Sequence, residues 1–187
     1  MKSQTLLSII LGSLFFYLSG CSQSQPSDSY RAPIYNQSDV VTFENIQYQI
    51  SDVFWAKQIG PAYLRKKPNA DFLIIYLSIT NKTQKPVERV FSPIFMLEDS
   101  TSTEYEPTTS VYLRQGLQLK MMTEPINPNV TLRGYLVFDV PESARYKLRI
   151  LSPFYAREAI SNSIKVVGFY FYIALLPNGT IETFEEH

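Results

Sequence analysis

From Val40 onward, apolar and polar residues alternate in short runs separated by turn formers, the period of half-buried β-strands. The first run, VTFENIQYQISDVFWAK, brings Phe43, Ile46, Tyr48, Ile50, Val53 and Trp55 forward as its apolar positions. Its phase slips near Glu44-Asn45, which predicts a bulge or the join of two strands. DFLIIYLSITN (71–81) sets Phe72, Ile74 and Tyr76 against Leu73, Ile75 and Leu77. Both faces are apolar, so a central strand is expected. VERVFSPIFMLED (87–99) is interrupted by Pro93, which breaks the strand or confines it to a sheet edge. TLRGYLVFDVPES (131–143) and YKLRIL (146–151) alternate again. Turn formers stand between the runs at Pro68-Asn69, Asn81-Lys82, Asp99-Ser100, Asn127-Pro128-Asn129 and Pro141-Glu142.

The last apolar run, IKVVGFYFYIALL (164–176), is followed by Pro177-Asn178-Gly179 and TIETFEE (180–186). Asn-Gly reaches positive φ cheaply, so this pattern predicts a C-terminal β-hairpin. Phe169, Phe171, Ile173 and Leu175 share one face and Tyr170, Tyr172, Ala174 and Leu176 the other. Such a strand belongs inside a sheet, or turns one face to a partner or a second copy of the chain. Helix signals are scarce; SPFYAREAISNS (152–163) predicts one short turn, with Ser152 capping and Pro153 at its first position. Many short strands at close spacing give an all-β fold: an antiparallel β-sandwich over residues 40–187, with the C-terminal hairpin added to it.

The first 20 residues do not follow this pattern. Lys2 precedes an apolar run from Leu6 to Leu18, and the small residues Ser19 and Gly20 follow. This is the layout of a secretory signal peptide, and it is short for a membrane-spanning helix. Leu18-Ser19-Gly20-Cys21 resembles the bacterial lipobox. The resemblance implies a lipoprotein: the leader is cut before Cys21, whose sulfur carries diacylglycerol and whose new amino group takes a further acyl chain. No other cofactor is expected. Each buried methylene contributes about 0.8 kcal/mol, so two or three chains hold a protein at a bilayer essentially for good. Residues 22–39, SQSQPSDSYRAPIYNQSD, are polar and aperiodic and predict a tether with an end-to-end distance of roughly 25 Å. Ser22 is compatible with outer-membrane sorting in a Gram-negative cell; in a Gram-positive cell the anchor lies in the outer face of the plasma membrane.

Two stretches carry a family resemblance. FLIIYLSITNKTQKPVERVFSPIFMLEDSTSTEY and INPNVTLRGYLVFDVPESARYKLRI are similar to an immunoglobulin-like domain of unknown function in bacterial surface lipoproteins, related to secreted immunoprotective antigens. The shared marks are a strand ending at Asn81, another ending in Leu97-Glu98-Asp99 with Tyr105 after it, then Gly134 and Phe138-Asp139-Val140-Pro141. The resemblance covers roughly residues 40–150. Pro128-Asn129 stands where the family has Pro-Gly, and Ser100 where it has Gly after the Asp.

Composition removes several classes of function. The 17 Lys and Arg balance 17 Asp and Glu, so the broad positive field of a nucleic-acid-binding protein is missing. Arg65-Lys66-Lys67 reads as a solvated loop. The one histidine, His187, is the last residue, and the one cysteine is Cys21. No histidine base, thiol nucleophile, glycine-rich phosphate loop or multi-cysteine metal site is therefore expected. Glu98, Asp99, Glu104 and Glu106 bracket one turn, but their spacing is not that of an EF-hand, and a solvated acidic loop is expected. The sequence thus points to a non-enzymatic envelope lipoprotein that binds a protein through its loops (57–70 and 99–110) or C-terminal hairpin. The alternative is a module for a small molecule, Ca²⁺ or a carbohydrate, using a Tyr- and Trp-rich surface.

Overall fold

Ten strands form among the residues that the computed structural model describes: 32–63, 65–88, 94–108, 116, 120–121, 123–142, 145–151 and 170–184. In chain order they are β1 (Ile34–Asn36), β2 (Val40–Phe43), β3 (Ile46–Ile59), β4 (Asp71–Asn81), β5 (Phe95–Glu98), β6 (Glu104–Tyr105), β7 (Thr131–Val140), β8 (Lys147–Leu151), β9 (Tyr170–Ala174) and β10 (Thr180–Phe184). Sheet A has the order β1-β9-β8-β5-β6, and sheet B the order β10-β3-β4-β7, with β2 also paired to β3. The two sheets enclose one core, giving the expected immunoglobulin-like sandwich.

The local signals explain most strands. The slip at Glu44-Asn45 is a turn in which both residues have positive φ (51° and 60°), and it joins β2 to β3 as a hairpin. A second change of phase falls at Ser51. The register shifts between Ile50 and Asp52, so Tyr48 and Ile50 point into the core before the bulge and Val53 and Trp55 after it. β4 lies between β3 and β7, as its two apolar faces require. Asn129 holds φ 61°, the left-handed turn conformation that Asn tolerates. In the core, the Trp55 and Tyr146 rings lie 6.1 Å apart, and Tyr146 donates its hydroxyl to the Pro141 carbonyl at 2.6 Å. That tyrosine corner ties the β7–β8 connection to the barrel of side chains beneath it.

Asn81 is fully buried and ends β4. Its side-chain amide donates to the carbonyls of Lys85 and Ile126, both at 2.8 Å, and its oxygen accepts from the Thr83 amide and hydroxyl. Asn129 N bonds the Asn81 carbonyl at 2.7 Å. Asn-Lys-Thr is thus a polar knot that fastens two connections to the end of β4.

Three sequence expectations need correction. First, the C-terminal hairpin does not form. β9 lies inside sheet A, antiparallel to β8 and parallel to β1, while β10 lies in sheet B, parallel to β3. Asn178 N donates to the Val53 carbonyl at 2.7 Å and Trp55 N to the Gly179 carbonyl at 2.8 Å. The Pro-Asn-Gly turn spends its backbone bonds on β3, so it carries the chain from one sheet to the other. An oligomer built through a C-terminal hairpin loses its premise. Second, the sandwich is not purely antiparallel, because β1 and β10 both add in parallel. Third, the stretch read as tether up to Asp39 includes a strand. The folded unit begins at Ala32, and Tyr35 on β1 packs its ring 5.8 Å from Phe171. The expected turn of helix at 152–163 and the run at 164–169 lie outside the described residues.

Candidate functional site

Sheet B has a second apolar layer on its outer side. Ala56, Phe72, Ile74, Val137 and Phe184 form a cluster separate from the core, with Phe54 and Tyr135 packed against it. Register sets the side chains of this face in rows. Gln49, Ser78 and Arg133 share one row across β3, β4 and β7; Asp52, Tyr76 and Tyr135 share the next; Phe54, Ile74 and Val137 share the third. The face therefore passes from polar to aromatic to aliphatic along the strands.

An open groove of about 810 Å³ lies at the aromatic row. Its floor is four rings: Tyr76 and Tyr135 are 4.8 Å apart, Tyr135 and Phe184 4.9 Å, and Phe54 and Phe184 5.4 Å. Its rim is polar. Asn178 donates its side-chain amide to Asp52 Oδ1 at 2.6 Å. Thr183 Oγ1 accepts from Gln58 at 2.6 Å, which leaves its own proton to be donated. Thr180 donates to Glu142, which also holds Lys57. Gly179 closes the rim with φ 142°, and a Cβ built there would meet nothing within 4 Å, so the backbone faces open space. The residues lining the groove include one carboxylate and no Lys or Arg.

The acidic turn is arranged otherwise. Glu98 accepts from Lys147 Nζ at 2.9 Å and from the Tyr172 hydroxyl at 2.7 Å. The Lys147 ammonium also lies 4.5 Å from the Tyr172 ring centre. Burial opposes ionisation of Glu98, but those two donors outweigh it and hold the carboxyl below its ordinary range. Burial, reinforced by the bond to Glu98, pushes the Tyr172 hydroxyl up. Asp99 folds the turn itself, accepting from the Thr101 hydroxyl and the Thr101 and Thr103 amides, and these bonds lower its carboxyl. Glu104 forms a two-point pair with Arg149. Glu98, Asp99 and Glu104 thus each turn to separate partners.

The other sequence-derived candidates fall as follows. Leu18, Ser19, Gly20, Cys21 and His187 lie outside the described residues. Trp55, expected on a binding surface, is 5% exposed and belongs to the core, because the bulge at Ser51 turns it inward. Of the loop 57–70, the first three residues complete β3, and Lys66 pairs back to Ile59 through both backbone groups. Residues 65–67 are exposed, as a solvated loop requires. Sequence reading missed the groove. The phase Phe72, Ile74, Tyr76 was visible in β4, but which residues of β3 and β7 stand beside it was not.

Fold and groove together define a small two-sheet sandwich with an aromatic, open outer face. Residues 35–160 match the family model described as a domain of unknown function, DUF4352, and the chain belongs to that family. Solved structures share the architecture. The yjhA protein of Bacillus subtilis is 17% identical with TM-score 0.54, over 76% of this chain and 99% of that one. A candidate lipoprotein of Bacillus subtilis, ycdA, is 16% identical with TM-score 0.52, over 75% of this chain. The match spans only 38% of the ycdA chain. An uncharacterized β-sandwich protein of Clostridium difficile is 10% identical with TM-score 0.50, over 81% of this chain and 99% of that one. At these identities the likeness establishes the fold. No functionally curated protein matches the sequence.

Proposed function

We propose that this protein is a lipid-anchored, non-enzymatic binding module of the bacterial cell envelope. Cys21 takes the acyl chains, Leu18 to Gly20 close the leader, and the polar residues after Cys21 carry the sandwich. The lipobox-like motif supports the anchor, as does the likeness to a candidate lipoprotein. The resemblance to immunoprotective-antigen-like surface lipoproteins supports the same location. The observation that carries the binding role is the groove on sheet B: the half-buried rings of Phe54, Tyr76 and Tyr135, backed by the buried Phe184, lie beside a row of polar groups. Concave apolar surface with a few convergent polar groups is the usual form of a ligand site.

Two measurements test this. Cys21→Ala should abolish labelling by a clickable fatty acid and leave unprocessed precursor; labelling that persists would sink the anchor. For the groove, a photo-crosslinking residue in place of Ile181 should give a discrete adduct in the native envelope. The same residue in place of Thr101, on the turn between β5 and β6, should give none. Equal labelling from both positions, or none from either, would remove the groove as a binding site.

A further inference from the structure

The lining of the groove points to a ligand class. We propose that it binds a neutral oligosaccharide, a reading that rests on the groove being the binding site. A sugar ring offers C–H groups with slight positive charge on its faces and hydroxyls around its edge. Tyr76 and Tyr135, on paired positions of β4 and β7 with rings 4.8 Å apart and tilted by 40°, line the groove with aromatic surface, whose negative quadrupole complements such C–H groups. The groups needed for the hydroxyl edge stand around them. Asp52 is an acceptor, Asn178 both donor and acceptor, and Thr183 keeps a free proton because Gln58 fills its acceptor side.

Charge narrows the choice. A groove with one carboxylate and no cation in its lining does not favour phosphate, sulfate or uronate groups. Arg133 stands on the adjoining row, outside the groove. The edge of β3 is closed to an added strand, because β10 covers its second half and the Asn178 amide and Gly179 carbonyl are spent on Val53 and Trp55. Gly179 adds room at the rim, since it presents backbone where any other residue would place a side chain.

The test uses the full, lipid-modified chain in detergent micelles on an array of neutral, anionic and cationic oligosaccharides, with calorimetry on any binder. We expect neutral oligosaccharides to bind. Tyr76→Ala and Asp52→Ala should each weaken binding about tenfold. Thr101→Ala, remote from the groove, should leave it unchanged. Thermal melts check that each variant is folded; Asp52 is half-buried and its bonds are to the adjacent Val53 amide and to Asn178, so its variant serves if Tyr76→Ala fails to fold. The proposal is overturned if no neutral oligosaccharide binds, if only charged ones do, or if binding survives both groove variants. A protein adduct from the Ile181 crosslinker with an empty array would overturn the glycan and leave the binding module standing. No adduct and an empty array would remove both.

Discussion

Asn178 donates its side-chain amide to Asp52 Oδ1 at 2.6 Å, and this bond clamps the crossover from sheet A to sheet B against the bulge in β3. Asp52 Oδ1 also accepts the Val53 amide at 2.9 Å, and Val53 in turn accepts from Asn178 N. A turn whose sequence belongs to a hairpin is held here as a bridge between layers. A double-mutant cycle with Asp52→Ala and Asn178→Ala should show a coupling of about 1 kcal/mol in urea denaturation. Strict additivity would mean that the bond contributes nothing to the crossover.

Gly179 sits next to that clamp with φ 142°, a backbone conformation that side-chain-bearing residues rarely adopt. Gly179→Ala meets no atom within 4 Å, so any cost comes from the backbone alone. The expected loss is about 1–3 kcal/mol, read as a lower urea midpoint with an unchanged slope. Wild-type stability in this variant would show that the turn relaxes to negative φ.

Asn81 is buried, with both its amide protons and its oxygen occupied. Asn81→Ala should cost roughly 2–4 kcal/mol, because the Lys85 and Ile126 carbonyls lose a donor and a cavity opens at the end of β4. Asn81→Asp should be no better, since it keeps the acceptor for Thr83 but buries a charge against two carbonyls. Thermal melts that place either variant within a degree of wild type would contradict the knot.

Tyr48 gives the opposite sign. It is completely buried against Phe171, at 5.2 Å between ring centres, and its hydroxyl has no hydrogen-bond partner. Burial pushes that hydroxyl far above its ordinary range. Tyr48→Phe removes an unsatisfied polar atom and keeps the ring, so stability should rise by about 1 kcal/mol. A clear loss of stability would reveal a bond to the hydroxyl.

Acid should weaken the sandwich through its paired carboxylates. Glu98, Asp99 and Glu142 all have folded-state values held below ordinary, the last chiefly by its bond from Lys57. The unfolded chain therefore takes up protons first as pH falls. The stability that these groups contribute is complete above the unfolded carboxylate range and is lost as pH drops below about 4. Glu98→Gln should flatten part of that slope. An unchanged acid limb in this variant would remove the Lys147–Glu98 pair as a contributor.

Much of the fold was legible because strands write their own period into the chain. The alternation in β4, β7 and β8 and the turn at Glu44-Asn45 depend on residues a few positions apart, and each agrees with the architecture; the break expected at Pro93 lies outside the described residues. The second slip at Ser51 was equally present in the spacing of Ile50 and Val53, and reading it would have placed Trp55 in the core. Asn178-Gly179 was ambiguous in principle. The dipeptide specifies a backbone that can turn, while the choice between hairpin and crossover depends on which strand offers the free carbonyl and amide, and those belong to Val53 and Trp55, more than a hundred residues earlier.

By itself, the sequence determined the all-β class, the positions of most strands and turns, the likeness of Leu18–Cys21 to a lipobox and the scarcity of catalytic residue types. These are local properties of period, turn chemistry and composition. Tertiary structure decided the parallel additions of β1 and β10, the separate partners of the acidic residues and the groove on sheet B. Asp52, Tyr76 and Tyr135 are far apart in the chain and share a row only through the register of β3, β4 and β7. Strand register is fixed by the packing of whole faces against a common core, and no window of a single strand contains that information.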